Sequence, residues 1–499
     1  MDRNQRLKLN TYTSLLSKIV ILFSGLILPR LILANYGSEV NGLVNSVTQF
    51  LSIITFLDLG VGSVVQSALY KPLAQKDNKA ISHIITSARR YFRNIALILL
   101  IYVFLLIVIY PQSIENNTLN VAGTMFLIIA ISINQFSQYF FGVVNELLLN
   151  ADQKSYIQFG TEIIVVILNL IISIILISNG FEIYTVKFFS GLIYLFRPLF
   201  LTYYVNKNYS ISYEKNLEED PLPQKWHGVG QHIAYSIQNS TDIVVLTIFS
   251  TLESVSIYSV YKMIANALRL VIQSFTVGLQ SYFGEILVKE NYGVLIKSFL
   301  RIEWIIHNIA VYLYSICLVM ITNFVLIYTS GVNDVNYEAP LFSVFLLMGG
   351  FLYSIRTPYQ AIVFAAGHFK ETQLSSFIEA ITNILLSIVL VNYLGLVGVA
   401  LASFIAMLYR TLYLANYLSN NILKYNRMYF IKQIFVDMLT IFCITLPGMY
   451  VISLYDINSI TMWAIAAMFL GIYSLVVLII LNIIFYKSQF ISLVDFKIK

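Results

Sequence analysis

Long apolar runs separated by short polar breaks occupy the chain from residue 11 to residue 485. They run unbroken, without the one-in-two alternation of a lipid-facing β-strand, so the pattern predicts helices. A helix needs about 20 apolar residues to cross a hydrocarbon core about 30 Å thick. On that measure fourteen segments qualify as spans: 11–34, 40–69, 93–110, 119–148, 157–178, 183–205, 230–250, 254–287, 304–328, 338–366, 374–392, 396–417, 430–454 and 460–485. Several exceed twenty-five residues, which predicts tilt or protrusion into water. The expected fold class is therefore an all-α integral membrane protein with 14 transmembrane helices.

Composition agrees. Of 499 residues, 58% are hydrophobic and 11% charged, against about 25% charged in soluble domains. The placement of charge is more informative than the net +6. The termini and alternate loops, with the span ends that adjoin them, carry 23 of the 31 lysines and arginines, among them Arg3, Lys71, Arg89, Lys207, Lys370 and Lys424. The intervening loops carry none, but hold Glu39, Glu115, Glu182, Glu253, Asp334 and Asp456. The positive-inside rule makes the basic set cytoplasmic, both termini included. The polar start lacks the cleavage site of a secretory signal, so the first span is expected to be retained.

The polar stretch 206–229, with Glu214, Glu218, Glu219, Asp220, Pro221 and Pro223, reads as a cytoplasmic linker. It divides an N-lobe, 1–205, from a C-lobe, 230–420; residues 421–499 add two further helices and a tail. The lobes resemble each other. A shift of 215 aligns Ser38-Glu39-Val40 with Glu253-Ser254-Val255. A shift of 214 aligns Ile167–Ser173 with Ile381–Ser387, and one of 213 aligns Tyr194–Arg197 with Met407–Arg410. Six spans per copy give both copies one orientation, the parallel repeat found in transporters.

The other eight basic residues fall deeper within spans, where a charge at mid-membrane costs at least about 2.5–3.5 kcal/mol. Such groups line wet cavities or snorkel to an interface. Lys18 and Lys187 lie near span ends and read as snorkelling; Arg197 and Arg410, matched in the repeat, read as interface anchors. Lys262 and Arg269 stand seven apart, nearly on one helix face and about 10 Å apart along the axis. Arg356 precedes Pro358, and Arg30 follows Pro29, which favours a kink there. Arg269, Arg356, Arg30 and Lys262 are thus the candidates for a cationic chamber that prefers an anion. Asp58 and Asp242 are the deep acids, placed either to pair with an arginine or to bind a coupling proton or Na⁺. Glu146, Glu162, Glu285 and Glu379, near span ends, read as solvated.

The run Glu39-Val40-Asn41-Gly42-Leu43-Val44, then Gln49-Phe50-Leu51, then Asp58-Leu59-Gly60-Val61-Gly62, resembles the Wzx-type polysaccharide flippases of the MOP exporter superfamily. The resemblance in layout covers the whole chain. It implies two six-helix lobes in a V-shaped arrangement with two extra helices, alternating access, and an undecaprenyl-diphosphate-linked oligosaccharide moved to the outer leaflet of a bacterial cell membrane. A polysaccharide polymerase and assembly proteins are the partners it implies, besides membrane lipid. The alternative transporter reading is an ion-coupled multidrug exporter, whose cationic cargo favours an acidic chamber. A membrane polymerase or glycosyltransferase is the enzymatic alternative. The outer loops are short for a polymerase, and no phosphate-cradling glycine motif is visible. The five histidines lack metal-ligand spacing, and Cys317 and Cys443 stand in apolar runs with no motif between them. The reading is of a non-enzyme without cofactor, metal or nucleic-acid partner.

Overall fold

The computed structural model describes residues 3–58, 60–113, 119–212, 229–276, 278–288, 292–487 and 489; most of the expected linker, 213–228, and the tail beyond 490 lie outside them. The described chain is helical and contains no strand. It divides into two compact units, Met1–Ser256 and Ile257–Lys499.

The first unit contains α1 (Arg3–Ser52), α2 (Val61–Gln75), α3 (Asn78–Ser113), α4 (Val121–Ser137), α5 (Val143–Ala151), α6 (Ser155–Ser178), α7 (Ile183–Asn208) and α8 (Val229–Phe249). Helix α9 (Leu252–Thr276) leads into the second unit. There follow α10 (Leu279–Val288), α11 (Tyr292–Tyr328), α12 (Pro340–Ile355), α13 (Thr357–Ala365), α14 (Phe369–Tyr417), α15 (Met428–Ser453) and α16 (Ile460–Phe485).

Among the described residues, eleven helices are long and apolar enough to cross a membrane. One of these, Phe369–Ile422, covers two of the spans expected from the sequence, and another, Lys8–Asp58, covers the first and most of the second. The expected seventh span lies on α8, whose apolar part is Ser240–Phe249. Large apolar side chains cover the outside as well as fill the core, as a lipid solvent requires. Phe104, Phe442 and Phe469 face outward, while Asn169, Ser173, Asn383 and Ser387 are buried. The chain is a multi-pass α-helical membrane protein.

Several expected spans are broken, each at an identifiable place. Helix α1 runs through Pro29 and leaves helical geometry at Gly37, where φ is 82°. The expected span 40–69 tightens into a 3₁₀ turn over Ile53–Asp58, and Gly60, left-handed at φ 73°, starts α2. Between α4 and α5 the helix widens into a π turn at Gln138–Gly142, the kind of bulge that recurs at functional sites. Between α12 and α13 the break falls at Arg356, with Pro358 in the first turn of α13, where its missing N–H is harmless.

The internal repeat is written into the backbone. Gln153 and Gly367, 214 residues apart, are left-handed at φ 56° and 76°. Gly180 and Gly395, 215 apart, are left-handed at φ 74° and 54°. The paired turns stand at nearly the same offset as the paired sequences.

Candidate functional site

In the first unit the Glu39–Val44 motif has a packing role. Gly42 faces the Leu252 carbonyl so closely that a Cβ would stand 1.8 Å from its oxygen. Asn41 donates to Ser256 Oγ at 2.8 Å, Ser46 and Thr247 share a hydrogen bond at 2.8 Å, and Tyr110 donates to Ser46 at 2.6 Å. Such a seam of small and hydroxyl-bearing residues lets backbones approach closely in lipid.

Asp58 closes the 3₁₀ turn, and its carboxylate is hydrogen-bonded by Tyr139 rather than by an arginine. Tyr91 donates to the adjoining Leu57 carbonyl at 2.6 Å. Asp242 is buried on α8, and Arg30 is half-buried on α1 one residue after Pro29. The π turn that follows α4 carries Tyr139 to Asp58.

Arg197 on α7, read from the sequence as an interface anchor, is an ion-pair centre. Its guanidinium reaches Glu146 at 3.0 Å and Glu162 at 3.3 Å. Gln138 donates to Glu146 at 2.7 Å, and Ser17 donates to Glu162 at 2.7 Å. Gly142 allows this: a Cβ there would stand 2.6 Å from the Gln138 amide oxygen. The π turn thus sets Gln138 against Glu146.

The second unit holds a denser basic cluster. Arg356, 4% exposed, lies at the α12–α13 break and contacts Glu379 at 2.5 Å. Arg410 on α14, also buried, stands 3.7 Å from the other oxygen of Glu379. It donates to the Thr372 carbonyl at 3.0 Å and to the Ser375 hydroxyl. Arg269 on α9 is half-buried, its guanidinium carbon 3.4 Å from the centre of the Tyr353 ring. Arg356 lies 4.6 Å from the same centre, so one aromatic ring holds two cations, an attraction worth about 2 kcal/mol or more when desolvated. Lys262 lies against Tyr258 at 5.0 Å.

The structure therefore brings Arg269 and Arg356 together on Tyr353 and gives Lys262 a separate aromatic partner on α9. Glu379 is buried between two guanidiniums instead of solvated, and Glu146 and Glu162 bind Arg197. Sequence position alone hid these acids: each lies near a span end, but the helix carrying Glu379 starts ten residues earlier at Phe369, which takes the carboxylate inside the packed helices. The signal available was the repeat itself. Arg197 and Arg410 recur at a shift of 213, and a recurring buried arginine calls for a carboxylate on the neighbouring helix of each copy.

Comparison with solved structures places this geometry. The lipid II flippase MurJ in an inward closed conformation superposes with a TM-score of 0.72 at 17% identity, over 97% of this chain and 99% of that one. The two share a fold. An inward-facing multidrug resistance MATE family transporter of the MOP superfamily gives a TM-score of 0.63 at 15% identity, over 81% of this chain and 95% of that one. A Vibrio cholerae MATE transporter gives 0.55 at 15%, over 86% and 100%. No protein-family model and no curated protein matches the chain.

Proposed function

We propose that the chain is a flippase of the Wzx type, which carries a lipid-linked oligosaccharide through its diphosphate from the cytoplasmic to the outer leaflet of a bacterial cell membrane. The observation that carries this reading is the cluster of Arg269, Arg356 and Arg410 around Tyr353 and Glu379. Glu379 sits between two guanidiniums, and Arg269 adds a third positive charge on the shared ring. Guanidinium groups hold phosphate through paired hydrogen bonds, and a phosphate-bearing head cannot enter hydrocarbon without such partners. In this reading Arg269 meets the diphosphate, and Arg356 and Arg410 raise the local potential. Lys262 extends the basic groups along α9, and Arg30 is a further candidate in the first unit. Asp58 and Asp242 are candidates for a coupling ion. The near-complete match to a lipid II flippase supports a lipid-borne cargo, whereas the MATE transporters match a smaller share of the chain.

Deleting the gene in its native cell tests the cargo. The expected result is lipid-linked oligosaccharide accumulating in the inner leaflet while outer-surface polymer disappears, with both reversed by the intact gene. Normal surface polymer together with altered resistance to cationic drugs would replace this reading with the multidrug exporter.

A further inference from the structure

Away from the arginine cluster, the second unit buries another set of titratable groups. Glu303 and His307 stand one turn apart on α11, an i, i+4 spacing that puts both on one face. They are 3% and 0% exposed, and Asp437 on α15 is 2% exposed. His307 Nδ1 lies 2.5 Å from Asp437 Oδ2, and Gln433 donates to Asp437 Oδ1 at 3.0 Å. Tyr359 of α13 donates to Glu303 Oε1. The Tyr425 and Tyr486 hydroxyls and His307 Nε2 are buried with no hydrogen-bond partner among the described residues. Tyr425, outside the spans, has its hydroxyl held well above the ordinary range by burial and by Glu303.

We propose that Glu303, His307 and Asp437 form one buried proton-binding site that takes up and releases a proton as a unit between α11 and α15.

The argument is charge balance in a dry site. Two carboxylates face one imidazole. Even with the imidazole protonated, the fully ionised cluster keeps one surplus negative charge, and an unpaired buried carboxylate is strongly disfavoured. One further proton makes the set neutral. Among the described residues no arginine or lysine is paired with Glu303 or Asp437 in a salt bridge. Arg301 on α11 and Glu285 on α10 are exposed, Lys432 on α15 is turned to the Phe485 carbonyl and lies over the Tyr486 ring, and Arg356 is engaged by Glu379. On α16 the facing group is the neutral Asn482, which accepts from Trp304 Nε1 at 2.7 Å. The carboxylate oxygens in contact are already taken by Tyr359, Gln433 and His307, which leaves a proton as the ligand that fits. Groups this close share their titration. The site is distinct from Asp58 and Asp242 and does not depend on the nature of the cargo.

Infrared difference spectra of the full-length protein in lipid nanodiscs, taken between about pH 5 and about pH 9, read this site directly. A protonated-carboxyl stretch that appears on acidification, is lost or halved in both E303Q and D437N, and persists in D58N and D242N is the expected result. H307Q keeps a donor for Asp437 and should move the midpoint by about one pH unit or more, the signature of coupled groups. The proposal is overturned if the band is unchanged in E303Q and D437N, or if D58N or D242N removes it. Should a variant fail to assemble, the wild-type spectrum decides alone: no carboxyl band titrating across that range overturns it.

Discussion

The two units carry the same kind of helix pair with opposite charge. In the first, Arg197 lies between the carboxylates of Glu146 and Glu162. In the second, the Glu379 carboxylate lies between the guanidiniums of Arg356 and Arg410. The helices correspond, Arg197 to Arg410 directly and Glu162 to Glu379 one turn displaced, yet one cluster has an acid in excess and the other a base. What differs is the broken helix that precedes them. Its π turn in the first unit presents Gln138 and Glu146; its break in the second presents Tyr353 and Arg356. A duplicated scaffold has kept its central ion pair and changed the sign of the third group.

The comparison can be broken most forcefully at Glu379. Replacing it by glutamine leaves two buried guanidiniums facing each other, and breaking a buried pair in this way costs about 3–5 kcal/mol. E379Q should therefore show a large fall in melting temperature, measured in detergent or nanodiscs. G142A attacks the first unit through shape: the new Cβ must displace Gln138 and meets Pro198 at 3.1 Å. Overpacking of this kind costs about 1–3 kcal/mol, so its fall in the same melting measurement should be smaller than that of E379Q. E146Q should be mildest. Arg197 keeps Glu162 and the new amide retains an acceptor, so the loss should stay under about 1 kcal/mol. Equal effects of E146Q and E379Q would erase the asymmetry.

Much of this was legible in the sequence and some was not, for physical reasons. Helices, their apolar faces and the repeat follow from residue pattern, because lipid leaves the backbone one local solution. The breaks are harder, since membrane helices tolerate proline and glycine: Pro29 bends nothing out of helical geometry, whereas Gly37 does. Pro358 did mark a break, just after Arg356. The candidate arginines were found by depth, but their partners were not, because a carboxylate near a span end looks solvated until the neighbouring helix covers it. Asp437 was overlooked in the same way, and Glu303 fell at the edge of its span; only its i, i+4 relation to His307 hinted at a shared site.

The central claim is that the basic cluster of the second unit handles an anionic cargo. Its most direct test is surface-polymer export in a flippase-deficient cell expressing the R269A/R356A double variant, with membrane levels of the protein measured alongside. The account predicts that export is lost while the protein remains at its normal level in the membrane. Export at the wild-type rate from that variant would contradict it.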